Sequence, residues 1–182
     1  MNILMNIGPD KVSPNSFYAL IEISYGSKVK YKMDKETGLL KVARVLPASV
    51  QYPGNYGFIP RTCAPDREPL DVFILCREKL EVMSLVTCYP IGLLSLVEGD
   101  CRDDKIIAVP FADPTFRGIS ELNDLPEHIS DEISHFFSIY KSLEEKRNYK
   151  NEISNADEAK KIIAEGIDGF FKMSIGRGFG GL

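Results

Sequence analysis

A series of short apolar or alternating segments fills the first two-thirds of the chain, and it limits the possible folds more than any other feature. The segments occupy residues 17–25, 28–33, 39–46, 72–76, 85–99 and 105–110. Gly, Pro and Asp residues separate most of them, which is typical of short strands joined by turns. An aromatic segment at 51–60 (QYPGNYGFIP) interrupts the series and is interpreted as a loop. Because short strands leave unpaired edges unless the sheet closes, the series predicts a closed or partly closed antiparallel barrel.

The last third of the chain changes period. From Pro126 onward, apolar residues recur at three- and four-residue steps, which predicts an amphipathic helix with the proline in its first turn. A second helix is predicted to start near Asn155, with Glu158 three positions on as a capping-box partner. Six glycines from Gly166 onward predict that the end of the chain frays or forms an irregular tail. The residues alone therefore predict a barrel with helices packed on it.

Length and composition predict one ordinary globular domain. The chain has 182 residues, of which 44% are hydrophobic and 26% are charged, and a single core usually serves a chain of this size. No linker divides residues 1–182. The formal net charge of −4 is a poor match for nucleic acid or an anionic membrane surface, so neither is an expected partner. An anionic substrate would need a local cluster of Lys and Arg, or bound metal ions, to reverse the sign.

The four cysteines predict a reducing compartment. Cys63, Cys76, Cys88 and Cys101 contain no pair with the C-x-x-C spacing of a zinc site or redox motif. Each lies beside apolar sequence, so all four are expected to be free thiols packed as small apolar side chains.

The first residues lack the pattern of a signal peptide, and no apolar run reaches membrane-spanning length. The expected location is the cytoplasm.

Two groups of acidic residues stand where one predicted strand gives way to the next. The first group consists of Asp66, Glu68 and Asp71. The second group consists of Glu98, Asp100, Asp103 and Asp104, and is followed by Lys105. Asp71 is unusual for a solvated acid because it shares a strand face with Phe73 and Leu75. Spacing alone leaves two interpretations open: the groups are solvated turns, or they supply carboxylates to a hard cation such as Mg²⁺.

Cationic and phenolic side chains occur in the predicted strands, the aromatic segment and the long helix. They are Lys30, Arg44, Tyr52, Tyr56, Tyr140 and Lys141. Each has an ordinary structural account, since a Tyr on the inner face of a helix is usually core and a strand Lys usually extends its charged end to water. Together they offer phosphate-binding donors beside carboxylates. Phosphoryl transfer needs that combination, because its catalysis is mostly positioning and neutralisation of charge.

Six segments, in matching order and spacing, make the chain similar to the family I soluble inorganic pyrophosphatases over roughly residues 15–165. The segments are IEIS at 21–24, KVKYKMDKETG at 28–38, YPGNYGFIP at 52–60, DREPLD at 66–71, DDKIIAVP at 103–110 and HFFSIYKSLE at 135–144. The resemblance implies an α+β, mainly β fold: a five-stranded OB-like antiparallel β-barrel with flanking helices in the C-terminal third. It implies one domain with a core at about 15–165 and a Gly-rich tail at 173–182.

The same resemblance implies Mg²⁺-dependent hydrolysis of inorganic pyrophosphate to two phosphates, with several Mg²⁺ ions per site and Mn²⁺ or Zn²⁺ as alternatives. The implied metal-binding residues are Asp66, Asp71, Asp103, Glu98 and Glu22. The residues implied to bind pyrophosphate are Lys30, Arg44, Tyr56, Tyr140, Lys141, Lys105 and Tyr52. Glu68 occupies the position of the general base. By family analogy the chain forms a homo-oligomer, and bacterial members are commonly hexamers.

Four residues depart from the family pattern. Glu68 and Glu98 stand where the family normally has Asp, Arg67 replaces a small residue, and Lys32 replaces a Glu. The extra methylene of Glu moves a carboxylate by about 1 Å, and misplacement of that size near the chemistry can cost about 10²-fold in rate. The replacement of Glu by Lys32 changes the local charge by two units. Lys32 would therefore weaken the binding of an outer metal ion, or take over part of that ion's contact with phosphate.

These departures leave a second functional hypothesis open. It is a phosphate-binding protein on the pyrophosphatase fold, with weak or lost turnover because of Lys32, Arg67 and Glu68. A third hypothesis, an OB-like nucleic-acid module, is disfavoured because the net charge is negative and no basic aromatic stripe is present.

Overall fold

The computed structural model of the chain describes residues 6–34, 36–47, 50–145 and 150–176, without the side chains of residues 101 and 141–145. The described residues form eight strands and two α-helices. The strands are β1 (Phe17–Ile23), β2 (Val29–Met33), β3 (Leu40–Val45), β4 (Asn55–Ile59), β5 (Leu70–Ile74), β6 (Leu85–Glu98), β7 (Cys101–Pro110) and β8 (Lys150–Ser154). The helices are α1 (Glu127–Glu145) and α2 (Ala156–Gly176). Neither helix is both long and apolar enough to cross a membrane.

Five strands close into a ring in the order β1-β4-β5-β7-β6, with β6 returning to β1. This confirms the predicted five-stranded barrel with helices in the C-terminal third. Four of the five pairs are antiparallel, and the β5–β7 pair is parallel. The parallel pair arises because β6 is inserted between these two strands along the chain, so β5 and β7 run in the same direction. The strands β2 and β3 form a separate two-stranded sheet.

The strand β6 is long enough to hold two partners on one edge. Its first residues, 85–88, pair with β1, and residues 93–97 pair with β8, while β7 follows the opposite edge. The short polar segment KNEIS of β8 carries no strand pattern of its own, which is why the sequence did not predict it. Pairing with the buried strand β6 makes this segment a strand.

Two apolar clusters join the helices to the barrel. In the first, Phe136, Phe137 and Tyr140 of α1 pack against buried aromatic residues of the barrel side, including Tyr52 and Tyr56. The aromatic segment predicted as a loop is therefore partly a strand, since β4 begins at residue 55 and all five of its residues are buried. The second cluster packs α2 on the same five strands through residues that alternate with those of the first cluster, so α2 covers their other face. The barrel thus has a helix on each of two apolar surfaces.

The two helices begin close to the predicted positions. The side-chain oxygen of Asn155 accepts a hydrogen bond from the backbone N–H of Glu158 at 3.0 Å, as expected of an N-cap residue. The prediction of an irregular tail from Gly166 onward is wrong as far as Gly176, because α2 continues through that position. The rest of the predicted tail, 177–182, lies outside the described residues.

Candidate active site

A cleft of about 630 Å³ opens between the β4–β5 hairpin loop, the strands β5 and β7, and helix α2. Its lining includes seven acidic side chains and two cationic ones. The acids are Glu22, Asp66, Glu68, Asp71, Asp103, Asp104 and Glu165, and the cations are Lys32 and Arg102. All three acids of the first group therefore share one site with Asp103 and Asp104 of the second group. Glu98 lies at the end of β6 and is not among the lining residues.

The parallel pairing of β5 and β7 explains how two distant acidic groups meet. The register places Asp71 beside Lys105. Because residues two apart on a strand point to the same face, Asp103 lies on the same side of β7 as Lys105. The fold therefore puts two carboxylates and one ammonium group together.

The hairpin loop at residues 60–69, here named the acidic loop, is closed by its own hydrogen bonds. At its base, the Leu70 N–H donates to Thr62 Oγ1 at 2.9 Å. Further along, the Ala64 N–H donates to the Glu68 carbonyl at 2.8 Å, and the Glu68 N–H donates to Asp66 Oδ1 at 3.0 Å. These bonds fix the backbone around the two acids and leave their carboxylates at the cleft.

Lys105 lies between two carboxylates. Its Nζ donates to Asp71 Oδ2 and to Asp103 Oδ1, both at 2.6 Å, and the residue is only 4% exposed. Burial by itself would lower the pKa of Lys105, but the two carboxylates outweigh it and the pKa is raised. Lys105 is therefore a permanent, buried cation bonded to two of the carboxylates that line the cleft.

The hydroxyl of Tyr56 joins the same cluster, donating to Asp71 Oδ2 at 2.6 Å. Burial, together with the negative charge of Asp71, raises the pKa of Tyr56 well above its ordinary value. The phenol therefore stays protonated and acts as a hydrogen-bond donor.

Glu22 is the most deeply buried acid of the cleft, with 6% exposure. Its Oε1 accepts a hydrogen bond from the Met33 N–H at 2.6 Å. Burial raises the pKa of Glu22 to about 7, although that hydrogen bond and the nearby lysines act in the opposite direction. Around neutral pH, this side chain therefore exchanges between a neutral and a charged form.

Replacing Glu22 by Gln is expected to stabilise the metal-free protein above pH 7. A carboxyl whose pKa rises from 4.5 to about 7 on folding lowers the free energy of unfolding as the pH climbs through that window, by up to about 3 kcal/mol. Gln does not ionise, so the gain should be present at pH 8 and absent by pH 4.5. Urea unfolding with a chelator present measures it. Glu81→Gln, at an exposed position, is the matched control, and an equal Glu22→Gln effect at both pH values would contradict the prediction.

Lys32 and Glu68 form an ion pair at the mouth of the cleft. Nζ of Lys32 lies 3.5 Å from Oε2 of Glu68, with side-chain exposures of 56% and 35%. A pair this exposed contributes at most about 1 kcal/mol to stability. Its importance is its position, because it places a cation on the carboxylate implied to be the general base.

A cationic and aromatic group adjoins the acids. Nζ of Lys30 lies 5.1 Å from the centroid of the Tyr140 ring, and Lys30 faces Arg44 directly in the β2–β3 ladder. The buried Tyr52 ring packs on those of Tyr56 and Tyr140. Because Tyr56 also bonds Asp71, it connects the cationic group to the carboxylates. The side chain of the remaining predicted residue, Lys141, lies outside the described part of the structure.

The seven acidic side chains of the cleft offer carboxylate oxygens, the donors that hard divalent cations prefer. Within residues 6–34, 36–47, 50–145 and 150–176, no three His, Cys, Asp or Glu side chains converge on one point that would hold a metal ion. Asp71 and Asp103 are nevertheless already arranged around a cation, the ammonium of Lys105. The donor set therefore fits a hard divalent cation such as Mg²⁺.

Some cleft residues were not among those singled out as candidates. Glu165 enters from α2, and Arg102 enters from β7, where its Nε lies 2.8 Å from Asp104 Oδ1. Nothing local in the sequence marks Glu165, since its place depends on where α2 packs. The charged run at 102–105 was a usable signal for Arg102.

The chain matches the family described as inorganic pyrophosphatase over residues 19–170. It is 41% identical to soluble inorganic pyrophosphatase 2 of Chlamydomonas reinhardtii over 163 residues, which is 90% of this chain and 85% of that one. It is 42% identical to a soluble inorganic pyrophosphatase of Zea mays over 164 residues, covering 90% and 76% of the two chains.

Solved structures give the same result. The fold is similar to that of inorganic pyrophosphatase from Thermus thermophilus, with a TM-score of 0.86, 33% identity, and coverage of 94% of this chain and 99% of that one. The Helicobacter pylori enzyme gives a TM-score of 0.82 at 36% identity, covering 87% and 95%.

Proposed function

The chain belongs to the inorganic pyrophosphatase family, whose members hydrolyse pyrophosphate to two phosphates, and we propose that its acidic cleft carries out this reaction with Mg²⁺. The observation that carries the proposal is the Asp71–Lys105–Asp103 cluster, in which two carboxylates close around a cation. Through Tyr56, this cluster lies next to the cationic group of Lys30 and Arg44. The alternative, a binding protein with lost turnover, gains no support from the relatives, which are named as pyrophosphatases.

In this proposal the carboxylates hold Mg²⁺ ions, with Mn²⁺ or Zn²⁺ as substitutes. The proposed metal-binding residues are Asp66, Asp71 and Asp103, with Glu22 and Glu98 in the wider acidic site. Bound Mg²⁺ would supply positive charge to the phosphate oxygens and lower the pKa of a water molecule. Glu22 is protonated part of the time near pH 7, so it is the acid whose ionisation a nearby cation would most change.

The cationic and phenolic side chains bind the substrate. The proposed pyrophosphate-binding residues are Lys30, Arg44, Tyr52, Tyr56, Lys105, Tyr140 and Lys141. Like charges directly opposite in a β-ladder repel each other, so an anion beside the Lys30–Arg44 pair relieves that repulsion. Tyr56 is held protonated by burial and by Asp71, and it would donate to a phosphate oxygen by turning its single O–H away from Asp71.

Glu68 is the proposed general base. It accepts a proton from water while the water oxygen bonds to one phosphorus atom, and the bridging P–O bond breaks with its electron pair leaving on the second phosphate. The carboxylate lies at the cleft and is about one-third exposed, so water reaches it. Neutralisation of the leaving phosphate by the lysines and Arg44 completes the electrostatic part of the reaction.

The test is phosphate release from pyrophosphate across a Mg²⁺ titration, with Glu68→Ala as the reference. We expect Mg²⁺-dependent release by the natural chain. Release no faster than that of Glu68→Ala at every Mg²⁺ concentration would overturn the proposed use of this cleft.

We also propose a homo-oligomer in the cytoplasm, a hexamer by family analogy. Cys63, Cys76 and Cys88 are free, as expected in a reducing compartment. Large apolar side chains are exposed on the described surface, among them Val45 at 64% and Phe171 at 64%, and contact between subunits would cover them. The negative net charge supports neither nucleic acid nor a membrane as a partner.

Replacing Lys32 by Glu is expected to tighten Mg²⁺ binding by about 10-fold. The change removes a cation 3.5 Å from Glu68 and adds an anion, and opposite unit charges about 4 Å apart near a surface interact by roughly 4 kcal/mol before exposure weakens them. Calorimetric titration with Mg²⁺ alone measures the affinity. Lys79→Glu, an equal charge change at an exposed position outside the cleft, is the control. An unchanged Kd in Lys32→Glu would contradict the charge argument.

A further inference from the structure

Helix α2 contacts the acidic loop through two glycines, Gly166 and Gly169, which both line the cleft. A glycine inside a helix costs about 0.5–1 kcal/mol relative to alanine. Residues three apart lie on the same helix face, so both positions leave out a side chain on the side that meets the barrel. Close packing of α2 against the barrel would explain why glycine is present at both positions.

The first contact is with the backbone of Cys63, at the start of the acidic loop. The carbonyl of Gly166 accepts a hydrogen bond from the Cys63 N–H at 2.8 Å. A Cβ atom at Gly169 would lie 2.9 Å from the Cys63 carbonyl oxygen, which real Cβ atoms essentially never approach so closely. One turn further along α2, Sδ of Met173 lies 4.0 Å from Cys63 Sγ. The helix therefore touches Cys63 at its N–H, its carbonyl and its thiol.

The second contact is with the base of the loop. A Cβ atom at Gly166 would lie 2.6 Å from Cδ1 of Leu70 and 3.3 Å from Cβ of Thr62. The Leu70 N–H and Thr62 Oγ1 are hydrogen-bonded to each other, so they mark the point where the two ends of the loop come together. Helix α2 thus supports both ends, while the middle of the loop is joined mainly by bonds within itself.

We propose that Gly166 and Gly169 are positioning residues for hydrolysis. By letting α2 approach the backbone of Cys63, they set the depth at which Asp66 and Glu68 stand in the cleft. A side chain at either glycine would push the loop away from the helix and shift both carboxylates together. The inference rests on the proposed function of this cleft.

The test compares Gly169→Ala and Gly166→Ala with the natural chain. Because misplacement of about 1 Å near reacting atoms costs up to about 10²-fold, we expect kcat to fall by about 10-fold or more while KM for pyrophosphate changes little. We also expect Cys63 to react faster with iodoacetamide, measured on its peptide by mass spectrometry, since the loop and helix no longer cover the thiol as closely. That second readout is independent of turnover.

The control is Gly92→Ala on β6. A Cβ there would lie 3.2 Å from Leu122 Cβ and from the Ser154 carbonyl oxygen, so the substitution crowds the barrel without touching the acidic loop. We expect kcat and Cys63 reactivity to stay as in the natural chain. If Gly169→Ala does not fold, Gly166→Ala decides: the end of the Leu70 side chain is able to give way, while Thr62 Cβ at the base of the loop, 3.3 Å from the added Cβ, has to shift.

Three results would overturn the inference: an unchanged kcat in the folded α2 variants, an unchanged Cys63 reactivity in them, or an equal loss of kcat in Gly92→Ala. Absence of phosphate release by the natural chain would be a failure of the proposed function instead. In that case the reactivity of Cys63 would still show whether the two glycines hold the loop.

Discussion

Asp71→Asn is expected to lower the rate of phosphate release by about 10³-fold. The carboxylate receives two strong hydrogen bonds on one oxygen, from Tyr56 and from Lys105, each at 2.6 Å. An amide carries no negative charge, so the substitution removes the attraction for Lys105 and for any divalent cation in the cleft. Removing one preorganised electrostatic contact from an active site commonly costs about 10²–10³-fold, and here one residue serves both purposes.

Steady-state phosphate release at saturating Mg²⁺ measures the Asp71→Asn effect. Asp100→Asn is the matched control, because Asp100 is also an acid at the end of a strand. It is exposed in the β6–β7 turn and does not line the cleft. We expect the control to keep the natural rate. An Asp71→Asn enzyme within about 10-fold of the natural rate would remove Asp71 from the catalytic set.

Lys105→Met is expected to have the second largest effect, lowering both activity and stability. Lys105 is 4% exposed and is the only cation bonded to both Asp71 and Asp103 in the described structure. The substitution removes that cation and leaves both carboxylates without it. Breaking a buried pair by removing one partner costs about 3–5 kcal/mol, and we expect about 3 kcal/mol because the two aspartates are each about one-third exposed. Activity should fall by about 10²-fold, since a phosphate-binding charge is lost as well.

Urea unfolding in the presence of a chelator measures the loss of stability in Lys105→Met, and phosphate release measures the loss of activity. Lys150→Met is the control. Lys150 also bonds a carboxylate, that of Glu152, at 3.0 Å, but its side chain is 78% exposed, so the change should alter stability by less than about 1 kcal/mol. Equal unfolding free energies for the two variants would show that the buried cluster contributes no more than a surface pair.

Local sequence pattern predicted most of the barrel. The runs that became β1, β5, β6 and β7 alternate or are continuously apolar because one or both faces are buried, and that pattern is visible without knowing the partners. The pairing of β5 with β7 depends on which strands meet in three dimensions, and single-strand pattern contains no such information. For the same reason β8 was missed, because only β6 makes KNEIS a strand.

The glycine-rich end shows how tertiary contact overrides local preference. Gly166 and Gly169 predicted an irregular tail, since glycine disfavours helix. In the structure they lie within α2, where the Cys63 N–H bonds the carbonyl of Gly166 and no room exists for a side chain at Gly169. Packing against the loop decides the conformation there.

In the site, spacing alone left the carboxylates open as solvated turns, the family resemblance implied that they bind metal, and neither gave their arrangement. The sequence indicated that Asp66, Asp71 and Asp103 belong together, and the cleft contains all three. Lys105 was expected only to lie close to the substrate, whereas it bridges two of the acids. The pairing of Lys32 with Glu68 also depends on how the β2–β3 sheet lies beside the acidic loop, which no pattern within either segment specifies.

The hydrogen bond between Cys63 and Gly166 has a consequence for the order in which a newly made chain becomes active. All five strands of the closed ring have been synthesised once the ribosome reaches Pro110. The helix that supports the acidic loop, α2, is made well after that. A domain generally folds as a unit during synthesis, so Asp66 and Glu68 lack their support until α2 has emerged. Competence for catalysis is then among the last properties that the polypeptide acquires.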